Sequence, residues 1–178
     1  MTPLIRHCLD TDVPAITAIY GHHVLHGTGS FEIIPPTTQE MADRRQAVLD
    51  NDLPYLIAEI NGQTVGYAYA NLFRPRLAYR HTLENSVYVH HQMGRQGLAR
   101  ALMAELMSHC EQMGGRQMIA LIGDSNNASS IGLHLALGFQ HAGLMRSSGW
   151  KHGRWLDTVL MQRRLGPGDA TTPTIIGQ

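Results

Sequence analysis

Apolar positions along the chain follow two rhythms, one of period two and one of period three to four, and their order sketches a mixed fold. Leu4 to Leu9 fits a first strand, after which Asp10 and Asp12 lead into a helix with Pro14 in its first turn. Val13, Ile16, Ile19 and Tyr20 give that helix an apolar face, and Gly27-Thr28-Gly29-Ser30 breaks it. Extended chain follows through Ile34-Pro35-Pro36. Thr37 with Glu40 three residues on has the form of a capping box, opening a second helix that runs to about Asp50. Tyr55 to Glu59 and Thr64 to Phe73 read as a hairpin around the tight turn Asn61-Gly62.

Leu83 to Val89 is the next strand, and Leu98, Leu102, Leu106, Cys110 and Met113 then repeat at helical spacing until Gly114-Gly115. Gln117 to Ile122 is a short buried strand, and Asn126 or Asn127 caps a helix that closes at Leu137-Gly138-Phe139. Two strands follow, Phe139 to Arg146 and Arg154 to Arg164, joined around Lys151-His152-Gly153. Helices and hairpins around one mostly antiparallel sheet make the class α/β or α+β. Residues 1–165 read as a single domain, and the Gly, Pro, Thr and Asp composition of 166–178 as a mobile tail.

Composition narrows the function. At 178 residues and 43% hydrophobic content the chain can bury one sizeable core. Its 14 basic residues balance 14 acidic ones, which argues against a strongly basic nucleic-acid binder. No apolar run suits a membrane span, and Met1 to Arg6 lacks a signal-peptide core. Cys8 and Cys110 have neither metal-ligand nor redox spacing, and His22, His23 and His26 lack an acidic or cysteine partner, so no metal is expected. The expectation is a cytoplasmic protein without membrane or nucleic-acid partners.

The segment from Val87 to Arg100 carries the strongest chemical signal. A strand ends, a short loop follows, and a helix opens through Gly94, Arg95, Gln96, Gly97, Leu98 and Ala99. The first amides of a helix lack internal partners and can cradle a phosphate, and the small residues let a ligand approach the backbone. Neither G-x-x-x-x-G-K-[ST] nor G-x-G-x-x-G is present, which sets aside two common phosphate loops. By spacing alone, an ordinary glycine-containing helix start fits as well.

Alternation places Glu84, Ser86 and Tyr88 on one strand face. A carboxylate within an apolar strand is costly unless paired or wet, so Glu84 is either ion-paired or a candidate general base. A base matters for acyl transfer to an amine: with a pKa of about 8, only about a tenth of the amine is neutral at pH 7. Asn127 can hold a ligand's amide groups or simply cap its helix. His134, two turns on, can move a proton near neutrality or serve as an ordinary hydrogen-bonded residue. Phe73-Arg74-Pro75-Arg76, with Arg80 close by, suits a carboxylate or phosphinate, or is a solvated basic loop.

Together these segments resemble the phosphinothricin N-acetyltransferase group within the GNAT superfamily, from Ile5 to Leu165. The marks are Gly62 to Ala70, Arg80-x-Thr82-x-Glu84-x-Ser86-Val87-Tyr88-Val89, Gly97-Leu98-Ala99, Asn127-x-x-Ser130, Leu133-His134, Leu137-Gly138-Phe139 and Lys151-x-Gly153-x-Trp155-x-Asp157. One departure is Gly94, where the family's pyrophosphate loop usually carries Gln or Arg. The resemblance implies the GNAT acyl-CoA N-acyltransferase fold and direct acetyl transfer from acetyl-CoA to a small glutamate-like amine such as phosphinothricin or methionine sulfoximine. It implies cosubstrate contacts from Val87, Tyr88, Val89, Arg95, Gln96, Gly97, Leu98, Ala99, Arg100, Asn127 and Ser130. It places Phe73, Arg74, Pro75, Arg76, Glu84, Asn85 and Ser86 around the acceptor, with Glu84 the favoured base and His134 the second catalytic candidate. It also implies a homodimer. Two alternatives are acetylation of another amine (amino acid, polyamine or protein N-terminus) and a non-catalytic coenzyme A sensor.

Overall fold

A computed structural model describes residues 3–173. Its centre is a seven-stranded sheet in the order β1-β2-β3-β4-β5-β7-β6. The strands are β1 (Leu4–His7), β2 (Tyr55–Ile60), β3 (Gln63–Leu72), β4 (Thr82–Val89), β5 (Gln117–Gly123), β6 (Gln140–Lys151) and β7 (Arg154–Arg164). Four helices flank it: α1 (Val13–His26), α2 (Thr38–Leu49), α3 (Leu98–Gln112) and α4 (Ala128–Ala136). All neighbouring strands run antiparallel except β4 and β5.

Local chemistry accounts for the elements. Thr37 and Glu40 form the reciprocal capping box, with the Glu40 amide donating to Thr37 Oγ1 and the Thr37 amide to Glu40 Oε2 at 2.6 Å. Asn61 and Gly62 both take positive φ, as a tight hairpin turn between twisted strands requires. Leu98, Leu102, Leu106 and Cys110 are buried along one face of α3, and the core runs on through Ile57, Tyr67, Met118 and Phe139. Arg6 on β1 ties the start of α1 down, donating to Asp12 at 2.7 Å and to Glu59 at 2.9 Å. That guanidinium, with Leu9 and Thr64 as further donors, outweighs burial and holds the Asp12 carboxyl below the usual range.

Two expectations need adjustment. The strand expected to stop at Arg146 continues to Lys151, because irregularities between His141 and Gly143 and between Met145 and Gly149 absorb the polar Ser147-Ser148 without ending the pairing. The segment from Gly166, expected to be a mobile tail, folds back over its first eight residues. Arg116 donates to the Gly168 carbonyl at 3.0 Å and to Thr171 Oγ1 at 2.9 Å. Residues 174–178 of the expected tail lie outside the described residues.

Candidate active site

β4 and β5 pair only from Thr82 to Glu84 against Gln117 to Ile119, and the register ends there. Beyond that point the strands part and open a cleft of about 680 Å³. Its floor is β4 from Asn85 to Val89, its far wall β5 and the start of α4, and its mouth the opening of α3. The loop Gly27 to Gly29 closes the remaining side. Gly123 makes that possible, since a Cβ there would strike the Thr28 carbonyl and the Phe31 ring.

At the mouth, Gly97 precedes α3 with φ of 77° and offers no side-chain cap, so the first helix amides are free to meet an anion. Arg95 also has positive φ, and Arg95 and Arg100 both line the cleft. Val87, Tyr88, Val89, Leu98, Ala99, Asn127 and Ser130 line it as well. Gln96 does not; its amide turns to Met93 Sδ. The Asn127 carboxamide oxygen is occupied as a helix cap, accepting from the Ser130 amide at 3.2 Å.

Successive β4 residues face opposite ways, and the two faces differ in kind. Glu84, Ser86 and Tyr88 sit opposite Asn71, Tyr69 and Tyr67 of β3. This face packs under α1, with the Tyr20 and Tyr88 rings edge to face at 5.0 Å. A second cavity of about 230 Å³ lies here, bordered by Tyr20, Arg44, Tyr55, Tyr67, Tyr69 and Asn71. Burial raises the Glu84 pKa, opposed only by the Arg74 cation. On the other face Asn85 meets Met103 of α3 and His134 of α4. His134 is buried, which lowers its pKa, while its bond to the Ser130 carbonyl pulls the other way.

The structure therefore does not bring Glu84 and His134 together; the sheet separates them. Phe73, Arg74, Pro75 and Arg76 lie in the β3–β4 connection, outside the cleft, with Arg74 stacked over the Phe73 ring at 4.5 Å. Arg74 is the one of these tied to the site, through its field on Glu84. Sequence reasoning missed the Gly27–Gly29 wall and the tyrosine-lined cavity. Alternation of Tyr67, Tyr69 and Asn71 along β3 was the available signal for the latter. It also missed the anchoring of the wall: Lys151 Nζ donates to the Ser30 carbonyl at 2.7 Å, and Tyr20 Oη bonds Ser30 Oγ and Glu32 at 2.8 Å each. Among the described residues no group of three or more His, Cys, Asp or Glu is placed to hold a metal ion, and no helix is long and apolar enough to cross a membrane.

A parted β4–β5 pair with a phosphate-type helix start at its mouth defines an acyl-CoA-dependent transferase fold. Residues 22–139 match the acetyltransferase (GNAT) family, and the chain belongs to it. It is an acetyltransferase of mixed-sheet GNAT architecture. It is 54% identical to a phosphinothricin N-acetyltransferase of Alcaligenes faecalis over 169 residues, covering 95% of this chain and 86% of that one. It is 38% identical to the L-methionine sulfoximine/L-methionine sulfone acetyltransferase of Salmonella typhimurium, covering 90% and 94%. A crystal structure of a GNAT phosphinothricin acetyltransferase from Sinorhizobium meliloti in complex with AcCoA superposes with a TM-score of 0.95 at 46% identity, covering 98% and 95%.

Proposed function

We propose that the chain transfers the acetyl group of acetyl-CoA directly to the amine of a small glutamate-like amino acid such as phosphinothricin or methionine sulfoximine. The observation that carries this reading is the parting of β4 from β5 after Glu84: a phosphate-mouthed cleft opens on one face while a half-buried carboxylate stands on the other. Acetyl-CoA fits the cleft by its volume, by the free amides after Gly97 and by Arg95 and Arg100. Val87 to Val89 offer backbone groups to the pantetheine portion. The acceptor takes the Glu84 face, with Ser86 beside it and Arg74 and Arg76 at its entrance to meet an anion.

The chemistry is a single displacement. Glu84 removes a proton from the ammonium, the amine nitrogen bonds the thioester carbon, and the carbon–sulfur bond breaks. The departing thiolate takes a proton from water. A raised pKa suits Glu84 to this task, since a base works best near the operating pH. Names of the relatives support the acceptor class, and the arginine-bearing connection agrees with it.

We infer further that the protein is a homodimer in the cytoplasm. β6 is an edge strand of 12 residues, and Trp150 of β6 pairs with Trp155 of β7 near the hairpin end, their exposed rings 5.2 Å apart, which favours a second copy over solvent. Cys8 and Cys110 are buried and unpaired, in keeping with a reducing compartment. The test of the activity is thiol release from acetyl-CoA with phosphinothricin, methionine sulfoximine, methionine sulfone, common amino acids, a polyamine and a short peptide. Turnover confined to the first three supports the assignment; turnover only on the polyamine or peptide replaces the acceptor. Light scattering reads the mass, and a monomer at micromolar concentration removes the dimer.

A further inference from the structure

His134 lies two turns into α4, deep in the cleft wall, and its two ring nitrogens have unlike partners. Nδ1 is 2.8 Å from the Ser130 carbonyl oxygen, which can only accept, so Nδ1 carries a hydrogen. Nε2 is 3.0 Å from Asn85 Nδ2. A neutral ring protonated at Nδ1 presents a lone pair at Nε2, and the Asn85 amide donates into it. Both ring nitrogens are then satisfied without charge. The ring is also held edge to face against Phe139 at 4.9 Å.

The alternative arrangement is costly. Turning the Asn85 carboxamide over would bring its oxygen to Nε2 and demand a second ring hydrogen, hence an imidazolium. Such a cation would have two acceptors, the Ser130 carbonyl and the turned amide oxygen, but no counter-charge. α4 has no other ionisable side chain, and α3 presents Met103. Glu84 faces away on the far side of β4, and Arg163 of β7, which donates to the Leu137 carbonyl at the end of α4, is itself positive. Asn85 meanwhile accepts a cost of its own, because its buried Oδ1 has no partner among the described residues. An orphaned acceptor is tolerated where the other end of the amide has a fixed task.

We propose that Asn85 is a positioning residue: its carboxamide holds His134 as the neutral Nδ1–H tautomer, so that the ring is a rigid wall of the cosubstrate cleft and not a proton carrier. In resting on the acetyl-transfer reading, this confines proton removal to Glu84, on the opposite face. It also gives a reason for asparagine at a β4 position that points into the core, where an apolar residue would otherwise fit.

The first test needs neither substrate nor variant. Nitrogen-15 NMR of the uniformly labelled full chain reads the state of each imidazole across pH 8 to 5.5. His134 is expected to show one protonated nitrogen, Nδ1, throughout; protonation of Nε2 within that range overturns the proposal. Asn85→Asp supplies an acceptor in the same place and is expected to produce a doubly protonated His134 at neutral pH. Asn85→Leu removes the donor that engages the Nε2 lone pair; the Ser130 carbonyl still keeps Nδ1 protonated, and Nε2 is expected to take up a proton at higher pH than in the wild-type chain. An unchanged His134 signal in Asn85→Leu overturns the role of Asn85.

Kinetics then separates a wall from a proton carrier. In His134→Gln the kcat–pH profile is expected to keep its shape, with kcat lower by about tenfold, the scale of one lost hydrogen bond. Loss of an ionisation limb in that variant overturns the proposal. If the wild-type chain releases no thiol with any acceptor, the acetyl-transfer reading fails while the NMR result on His134 stands or falls by itself.

Discussion

The two faces of β4 are built by different means. The cleft face rests on backbone: strands that part, a helix whose first amides are free, and a glycine with positive φ. The Glu84 face rests on side chains gathered from α1, α2, β2 and β3, with Tyr20, Arg44, Tyr55, Tyr69 and Asn71 around one cavity. Backbone sites recognise what all coenzyme A thioesters share, the pyrophosphate and the amide arm. Side-chain sites recognise what differs between acceptors. On the proposed reading, β4 separates the part of the reaction that is common from the part that is particular.

Substitutions on each face should therefore fail differently. The largest effect is expected for Glu84→Gln, which removes the base and should lower kcat by about 100-fold or more while acetyl-CoA affinity stays within about twofold. Unchanged turnover would take Glu84 out of the mechanism. Next comes the pair Arg74→Gln and Arg76→Gln, for which the acceptor KM should rise about 30-fold, on the scale of about 2 kcal/mol for bonds to a charged group. An equal rise in the acetyl-CoA KM would dissolve the division between faces. Gly97→Val, forced into left-handed backbone at a cost of about 1–2 kcal/mol, should raise the acetyl-CoA KM about tenfold and leave the acceptor KM alone.

A smaller effect concerns pH. Burial raises the folded-state pKa of Glu84 above its unfolded value, so turnover should fall, as pH drops, earlier than for an ordinary glutamate. The same shift acts on stability with a definite sign. Between the unfolded and folded pKa values the native state binds more protons, so Glu84 costs stability as pH rises through that window. Glu84→Gln should thus raise Tm at pH 7.5 by about 2 °C and leave it unchanged at pH 4. A lower Tm at pH 7.5 would show that the carboxylate is stabilised by its surroundings.

Much of this was legible in the residues. The Asn61-Gly62 turn, the Thr37/Glu40 capping box and the apolar stripe of α3 are local patterns with local causes, and each appears where its pattern stands. The cleft face was legible for the same reason, since its strand, loop and helix start are consecutive. What could not be read was non-local. Nothing in the order of strands announces that β7 inserts between β5 and β6. Asn85 and His134 are 49 positions apart, and Lys151 and Ser30 are 121 apart. Glu84 and His134 were grouped by their chemistry, but β4's alternation and the placement of α4 put them on opposite sides.

Lys151 is the chain's single lysine, and it is buried with its ammonium on the Ser30 carbonyl. An enzyme that works among reactive thioesters thus keeps its one ε-amine folded away, and its other 13 cationic side chains are arginines, which such acyl donors do not modify. Its single lysine ε-amine is thus withheld from its own reagent in the native fold. Amine-directed labelling of Lys151 accordingly becomes a gauge of opening, silent while the Ser30 segment stays stapled to the β6–β7 hairpin and reporting as soon as it lifts.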